Sequence, residues 1–204
     1  MHYDIMSLHE HLSHMSLREQ TLSPGRQTER PVFTVDGKPY ISAGVLFYTE
    51  DFCGRIHLLM QKVSDKDWIW SDFGGKSEPE DTCIEDVAFR ECQQELNFKA
   101  GITTEYLREC LKDKKSTVYR IPELKYMLYV LYLPYSFKET VDVSVFGKTE
   151  EFDNIERVVR WISYYDFCKA PHQDIHPRLK PEEFKINLPL IIAKGMSQGD
   201  NLFY

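Results

Sequence analysis

The stretch from Gly74 to Asn97 constrains this chain more than any other. Thr82-x-x-Glu85 is a capping box, which marks a helix start just after Asp81. Ile84, Ala88, Cys92 and Leu96 recur every fourth residue, and at about 100° per residue they form one apolar stripe. Asn97 accepts the left-handed geometry that ends a helix. The spacing therefore predicts a helix from about Cys83 to Leu96 that docks along the stripe. Glu91 and Glu95 are also four apart, about 40° from each other on the wheel, at the edge of the stripe rather than opposite it. Like charges at that spacing cost roughly 0.2–0.5 kcal/mol. A shared cation would reverse the sign, since Mg²⁺ is commonly held by one or two carboxylates together with substrate phosphates. The plain alternative is a solvated pair screened by Arg90 or a lysine.

The residues just before the helix favour the cation. Gly74-Gly75-Lys76 follows an aromatic segment, Trp68 to Phe73, which reads as a short strand. Glycines there permit a tight turn and close backbone approach, and a loop carbonyl can serve as a further ligand.

The rest of the chain supplies a frame. Asp36-Gly37 signals a turn. Ile41 to Tyr48 and Ile56 to Val63 read as strands joined across Asp51 to Gly54. Thr117 to Ile121 and Lys125 to Tyr132 read as a strand pair, and Val158 to Ile162 as a further strand. Thr103 to Leu111 reads as a short helix, and Pro181 to Lys194 as a C-terminal helix that Pro189 kinks or shortens. Strands interleaved with helices indicate a mixed α/β domain, here residues 35–204. Residues 1–34 read as an N-terminal arm, whose roughly helical spacing from Ile5 to Met15 is broken at Ser23-Pro24-Gly25. Its His2, His9, His11 and His14 lack the accompanying carboxylates or cysteines of a repeating ligand spacing, and read as part of a polar helix.

Composition narrows the class. At 204 residues, 42% hydrophobic and 28% charged, the chain can bury a sizeable core. A formal net charge of -7 argues against a broad nucleic-acid or anionic-membrane surface. Five cysteines, an odd number at wide spacing with no CxxC pair, argue against a disulfide framework and a structural zinc site, and fit reduced thiols in the cytoplasm. The most apolar stretch, Tyr126 to Leu133, is too short to span a bilayer as a helix.

Residues 75–98 resemble the Nudix hydrolase box. That signature runs Gly, five residues, Glu, seven residues, then Arg-Glu-U-x-Glu-Glu-x-Gly-U, where U is bulky and aliphatic. Here Gly75 is followed by five residues and Asp81, then by eight residues and Arg90-Glu91-Cys92-Gln93-Gln94-Glu95-Leu96-Asn97-Phe98. Asp81 replaces Glu, one residue is inserted before Arg90, Gln94 replaces the first of the paired glutamates, and Asn97 replaces Gly. The resemblance implies an α/β/α sandwich with a mixed central sheet. It implies Mg²⁺ or Mn²⁺ held by Glu91, Glu95 and the Gly75 carbonyl, and a catalytic set of Glu91, Glu95 and Arg90. Arg90 acts by pairing with Asp81 or loop carbonyls, as suits a planar guanidinium. The implied reaction is attack of an activated water on a diphosphate linkage in a nucleoside diphosphate derivative. Glu150, Glu151 and Glu156 are candidates for a further carboxylate outside the box.

Substrate signals are weaker. Lys76 is the candidate phosphate contact. Trp68, Trp70, Phe47 and Tyr164 could stack on a nucleobase, although aromatic residues on strands are more often core. No proline occurs from Gly101 to Ile121, where ADP-ribose-cleaving members usually carry one. The arginines Arg18, Arg26 and Arg30 are offset by Asp4, Glu10, Glu19 and Glu29, and the basic run Lys112 to Lys115 contains Asp113, so a nucleotide-type small molecule is favoured over capped RNA. The competing reading is a catalytically weak nucleotide-binding or regulatory module, since Gln94 lacks the charge of the acid it replaces.

Overall fold

The computed structural model describes residues 29–64, 67–96, 102–112, 116–149 and 155–199. The arm over residues 1–28 lies outside them, as do Asn97, Phe98, Glu150, Glu151 and residues 113–115 of the basic run.

The frame is a sheet covered on both faces. A small hairpin of β1 (Phe33–Val35) and β2 (Lys38–Tyr40) precedes it. Asp36 and Gly37, at φ of 48° and 72°, make its turn, as that dipeptide predicts. The main sheet contains β3 (Ser42–Glu50), β4 (Ile56–Val63), β5 (Phe73–Lys76), β6 (Thr117–Ile121), β7 (Tyr126–Tyr132) and β8 (Arg157–Ser163). Its order is β6-β7-β3-β4-β8. β5 pairs with the first half of β3, over Ser42 to Val45, on the edge whose second half pairs with β4. β3 and β7 run parallel and the other pairs antiparallel, so the sheet is mixed.

Alternation along the two central strands explains the layers. Val45 and Phe47 of β3, with Met127, Tyr129 and Leu131 of β7, belong to one core. Leu46 and Tyr48, with Tyr126, Leu128 and Val130, belong to the other. Both strands are buried along almost their whole length because both faces are covered. On the first face lie α1 (Ile84–Leu96) and α2 (Thr104–Lys112), which contribute Ile84, Ala88, Cys92, Leu96 and Leu107. On the second lie α4 (Tyr164–Lys169) and α5 (Glu182–Gly199), contributing Phe167, Phe184, Leu188 and Ile192. Burial of each such side chain contributes about 1.5–3 kcal/mol. A short α3 (Tyr135–Thr140) follows β7. All five cysteines are free thiols. Among the described residues no helix is long and apolar enough to cross a membrane.

Three expectations are corrected. Trp68 to Phe73 is not a strand; regular pairing begins at Phe73, and Trp70 and Ser71 make only isolated bridges, to Ile175 and Gln61. Gly74 and Gly75 lie within β5 and not in a turn, and neither has a positive φ. Pro189 does not shorten the last helix, which continues to Gly199. A proline at 189 leaves the carbonyl of Lys185 without its helical donor. The Tyr164 hydroxyl donates to that carbonyl at 2.6 Å and satisfies it. α3 and α4 carried too few periodic residues to be read from sequence.

Candidate active site

α1 is anchored at its start by a variant of the predicted capping arrangement. The Thr82 hydroxyl donates to Asp86, at 2.5 Å, and the Thr82 backbone N–H donates to the same Oδ2 at 3.1 Å. Asp86 thus takes the role expected of Glu85. The apolar stripe packs the helix on β3 and β5. That docking places Glu91 and Glu95 beside the Gly74-Gly75 backbone.

Glu91 lies against Gly75. A Cβ built on Gly75 would sit 2.5 Å from the Glu91 carboxyl carbon, far inside contact distance. The need for glycine is therefore steric. Gly75→Ala is expected to displace the Glu91 carboxylate while leaving β5 paired. For a Glu91 that holds a divalent cation, Mn²⁺ affinity should then fall at least about tenfold, the scale on which small displacements of metal-site groups act, with a melting temperature close to wild type. A metal titration beside a thermal melt checks both.

Arg90 ties the loop together. Its Nε donates to Asp81 Oδ1 at 3.1 Å and its Nη2 to Asp81 Oδ2 at 3.0 Å, while Nη2 also donates to the Lys76 carbonyl at 2.7 Å. Its Nη1 is shared between Glu91 Oε1 at 2.8 Å and Gln94 Oε1 at 3.2 Å. Asp81, though shorter than glutamate, reaches the guanidinium with both oxygens and also accepts the Glu78 backbone N–H at 2.7 Å. Burial depresses the Arg90 pKa, but Asp81 and Glu91 outweigh it and hold the group above its ordinary value. The guanidinium is permanently charged and spans the loop, the strand and the helix.

Glu91, Gln94 and Glu95 open on a cavity of about 640 Å³, which Gly74, Gly75, Lys76 and Glu78 also line. Glu95 is 3% exposed. Lys76 is exposed at the rim. The sequence-predicted Gly75, Lys76, Glu91 and Glu95 thus share one cavity, with Arg90 bonded behind it. Glu156 is exposed and outside the cavity lining, although its neighbour Ile155 contributes to it. None of the four candidate stacking aromatics lines the cavity. Phe47 is fully buried core, Trp70 packs under the Lys62 ammonium, Trp68 is part-exposed on a turn, and Tyr164 serves α5.

Four contributors were missed: Asp72, Tyr126, His176 and Arg178. The segment 172–179 runs beside Trp70, where Trp70 N donates to Asp174 O at 2.8 Å and His176 N to Trp70 O at 2.9 Å. This places Arg178 against Asp72, with Arg178 Nε donating to Asp72 Oδ1 at 2.5 Å and the Tyr126 hydroxyl donating to Asp72 Oδ2 at 2.5 Å. Burial pushes the Tyr126 hydroxyl pKa well up, so it is a donor at all physiological pH. Arg178 and Asp72 are 106 positions apart, and no local pattern links them.

The residues fit a hard cation. The side chains lining the cavity include the carboxylates of Glu78, Glu91 and Glu95 and the amide of Gln94, an oxygen-rich set that suits Mg²⁺ or Mn²⁺ over softer metals. Among the described residues no group of three His, Cys, Asp or Glu side chains gathers at metal-binding distance. An ion here would therefore share its remaining positions with water and substrate oxygens, as Mg²⁺ commonly does.

No family model matches the chain, and no curated protein matches its sequence. Solved structures do match. An Ap4A hydrolase from C. elegans is 14% identical, with 75% of this chain and 97% of that chain covered at a TM-score of 0.45. A Nudix hydrolase from M. smegmatis, RenU, is 15% identical over 80% and 95%, at 0.43. A MutT protein from Methanosarcina mazei is 17% identical over 79% and 98%, at 0.39. Function is therefore argued from the site itself.

Proposed function

We propose that this cavity is the active centre of a metal-dependent hydrolase that cleaves a diphosphate linkage in a nucleoside diphosphate derivative, of the Nudix kind that residues 75–98 resemble. The observation that carries the reading is the placement of Glu91 against the Gly75 backbone beside a buried Glu95, both on one cavity. Two carboxylates four apart on a packed helix edge repel each other; Arg90 offsets part of that through Glu91, and a divalent cation held between them and the substrate would offset more. Glu91, Glu95 and the Gly75 carbonyl would hold the ion. When bound, it would lower the pKa of an attacking water and offset charge on the diphosphate.

The chain's own groups do the rest. Arg90 does not touch substrate; it is a positioning residue that fixes Glu91 relative to Asp81 and the Lys76 carbonyl. Lys76, at the rim, offers an ammonium to a phosphate oxygen. The cavity volume accommodates a nucleotide-sized small molecule.

The test is a turnover screen of the purified protein with Mg²⁺ and with Mn²⁺ against nucleoside triphosphates, dinucleoside polyphosphates, nucleotide sugars and capped RNA. Hydrolysis of a small-molecule diphosphate supports the proposal. Nucleotide binding without turnover anywhere in the panel overturns it in favour of a binding module. Gln94 is the observation behind that second reading, because an amide lines the cavity where the resembled box has an acid. Gln94→Glu is expected to tighten Mn²⁺ binding by about threefold to tenfold, since it adds a charge beside Glu91 that Arg90 Nη1 already faces. Unchanged affinity would place position 94 outside the ion's reach.

A further inference from the structure

Arg178 is held on every side but one. Nε donates to Asp72 Oδ1 at 2.5 Å, and Nη2 donates to the Gly74 carbonyl at 3.1 Å and the Asp72 carbonyl at 3.3 Å. The guanidinium carbon lies 4.7 Å from the centre of the Tyr126 ring, within cation–π range. Asp72 is fully buried and Arg178 is 6% exposed. Nη1 makes no hydrogen bond with any described residue, and the side chain lines the same cavity as Glu91 and Glu95.

This arrangement costs more than a structural filler requires. Burying an ion pair carries a desolvation penalty, and well-packed apolar residues of similar volume commonly do as well or better for stability. What the pair provides instead is a guanidinium with a fixed plane. Its remaining corner can donate without losing rotamer freedom, which is the geometry that recognises phosphate. Lys76, at the rim, has no such constraint.

We propose that Arg178 binds the substrate's diphosphate directly, donating from Nη1 to a phosphoryl oxygen, and that Asp72 and Tyr126 are positioning residues that hold it. This rests on the proposed function and deepens it. The ligand class is an anionic diphosphate, and recognition comes from the segment after β8 as well as from the helix. His176 lines the same part of the cavity, its Nδ1 facing the Arg178 backbone N–H at 3.4 Å.

The experiment is calorimetric titration of the full-length protein, first with Mn²⁺ alone, then with imidodiphosphate, a non-hydrolysable diphosphate, with and without Mn²⁺. Arg178→Met is expected to leave Mn²⁺ affinity within about threefold of wild type and to weaken imidodiphosphate about tenfold or more, the scale of a charge-assisted hydrogen bond. Because that variant leaves Asp72 buried and uncompensated, the double variant Asp72→Asn with Arg178→Met is measured beside it, with a thermal melt for both. Unchanged imidodiphosphate affinity in a folded variant overturns the proposal. A parallel loss of Mn²⁺ and imidodiphosphate also overturns it, since Arg178 would then act only through the Gly74 carbonyl. Wild-type protein that binds imidodiphosphate through Arg178 but no Mn²⁺ upholds this inference and overturns the metal reading. Wild-type protein that binds neither overturns both.

Discussion

Glu95→Gln is expected to reduce turnover by about 100-fold or more while leaving the fold in place. The side chain is 3% exposed and lines the cavity, so an isosteric amide fills the same volume. Stability should change by under about 1 kcal/mol, which is roughly 2–4 °C in melting temperature for a chain of this size. Removing the charge takes away one of two anionic ligands proposed for the ion, a larger loss than the roughly 10–100-fold that outer hydrogen-bond partners of a metal site cost. The variant also separates two readings of a buried glutamate. A residue kept only to pack or to balance Arg178 would lose stability and keep turnover. Steady-state kinetics and a thermal melt on the same preparation distinguish them.

Gly44→Ala is expected to produce the largest loss of stability. Gly44 is central in β3, between Gly74 of β5 and Leu128 of β7. A Cβ there would meet the Phe73 carbonyl at 2.5 Å, Asp72 Oδ2 at 2.6 Å, and the Tyr126 hydroxyl. None of these can retreat. The carbonyl belongs to the paired strand, Asp72 is pinned by Arg178, and the hydroxyl is bonded to Asp72. Overpacking costs about 1–3 kcal/mol where neighbours can shift; here the cost should reach about 3 kcal/mol or more. Chemical denaturation measures it, and a loss under about 1 kcal/mol would show that the strand and the Asp72 cluster can separate.

The parts of the site within one helix were legible because their determinants are local. A capped start and a four-residue apolar repeat define α1, and the same geometry places Glu91 and Glu95 at its packed edge. The strand pair β6–β7 was legible for a similar reason, as both partners are rich in β-branched and aromatic residues and lie close in sequence. The Asp72, Tyr126 and Arg178 cluster was not, because its members come from three distant segments and each looks ordinary in isolation. Of the two reasons for glycine at 74 and 75, the tight turn is absent and the close approach is present. Sequence shows that a side chain is absent, whereas only the packing shows that Glu91, Tyr126 and the Gly44 backbone occupy its place. Pro189 misled for the complementary reason, since the hydroxyl that satisfies Lys185 belongs to a residue on another helix.

Glu91 and Glu95 are proposed to hold a divalent cation together. The decisive measurement is a Mn²⁺ titration of the wild-type protein, Glu91→Gln and Glu95→Gln, with the free ion followed by electron paramagnetic resonance. Saturable binding by wild type and a loss of at least about tenfold in affinity in each variant are expected. No saturable binding by wild type, or equal binding by all three proteins, would contradict the proposal.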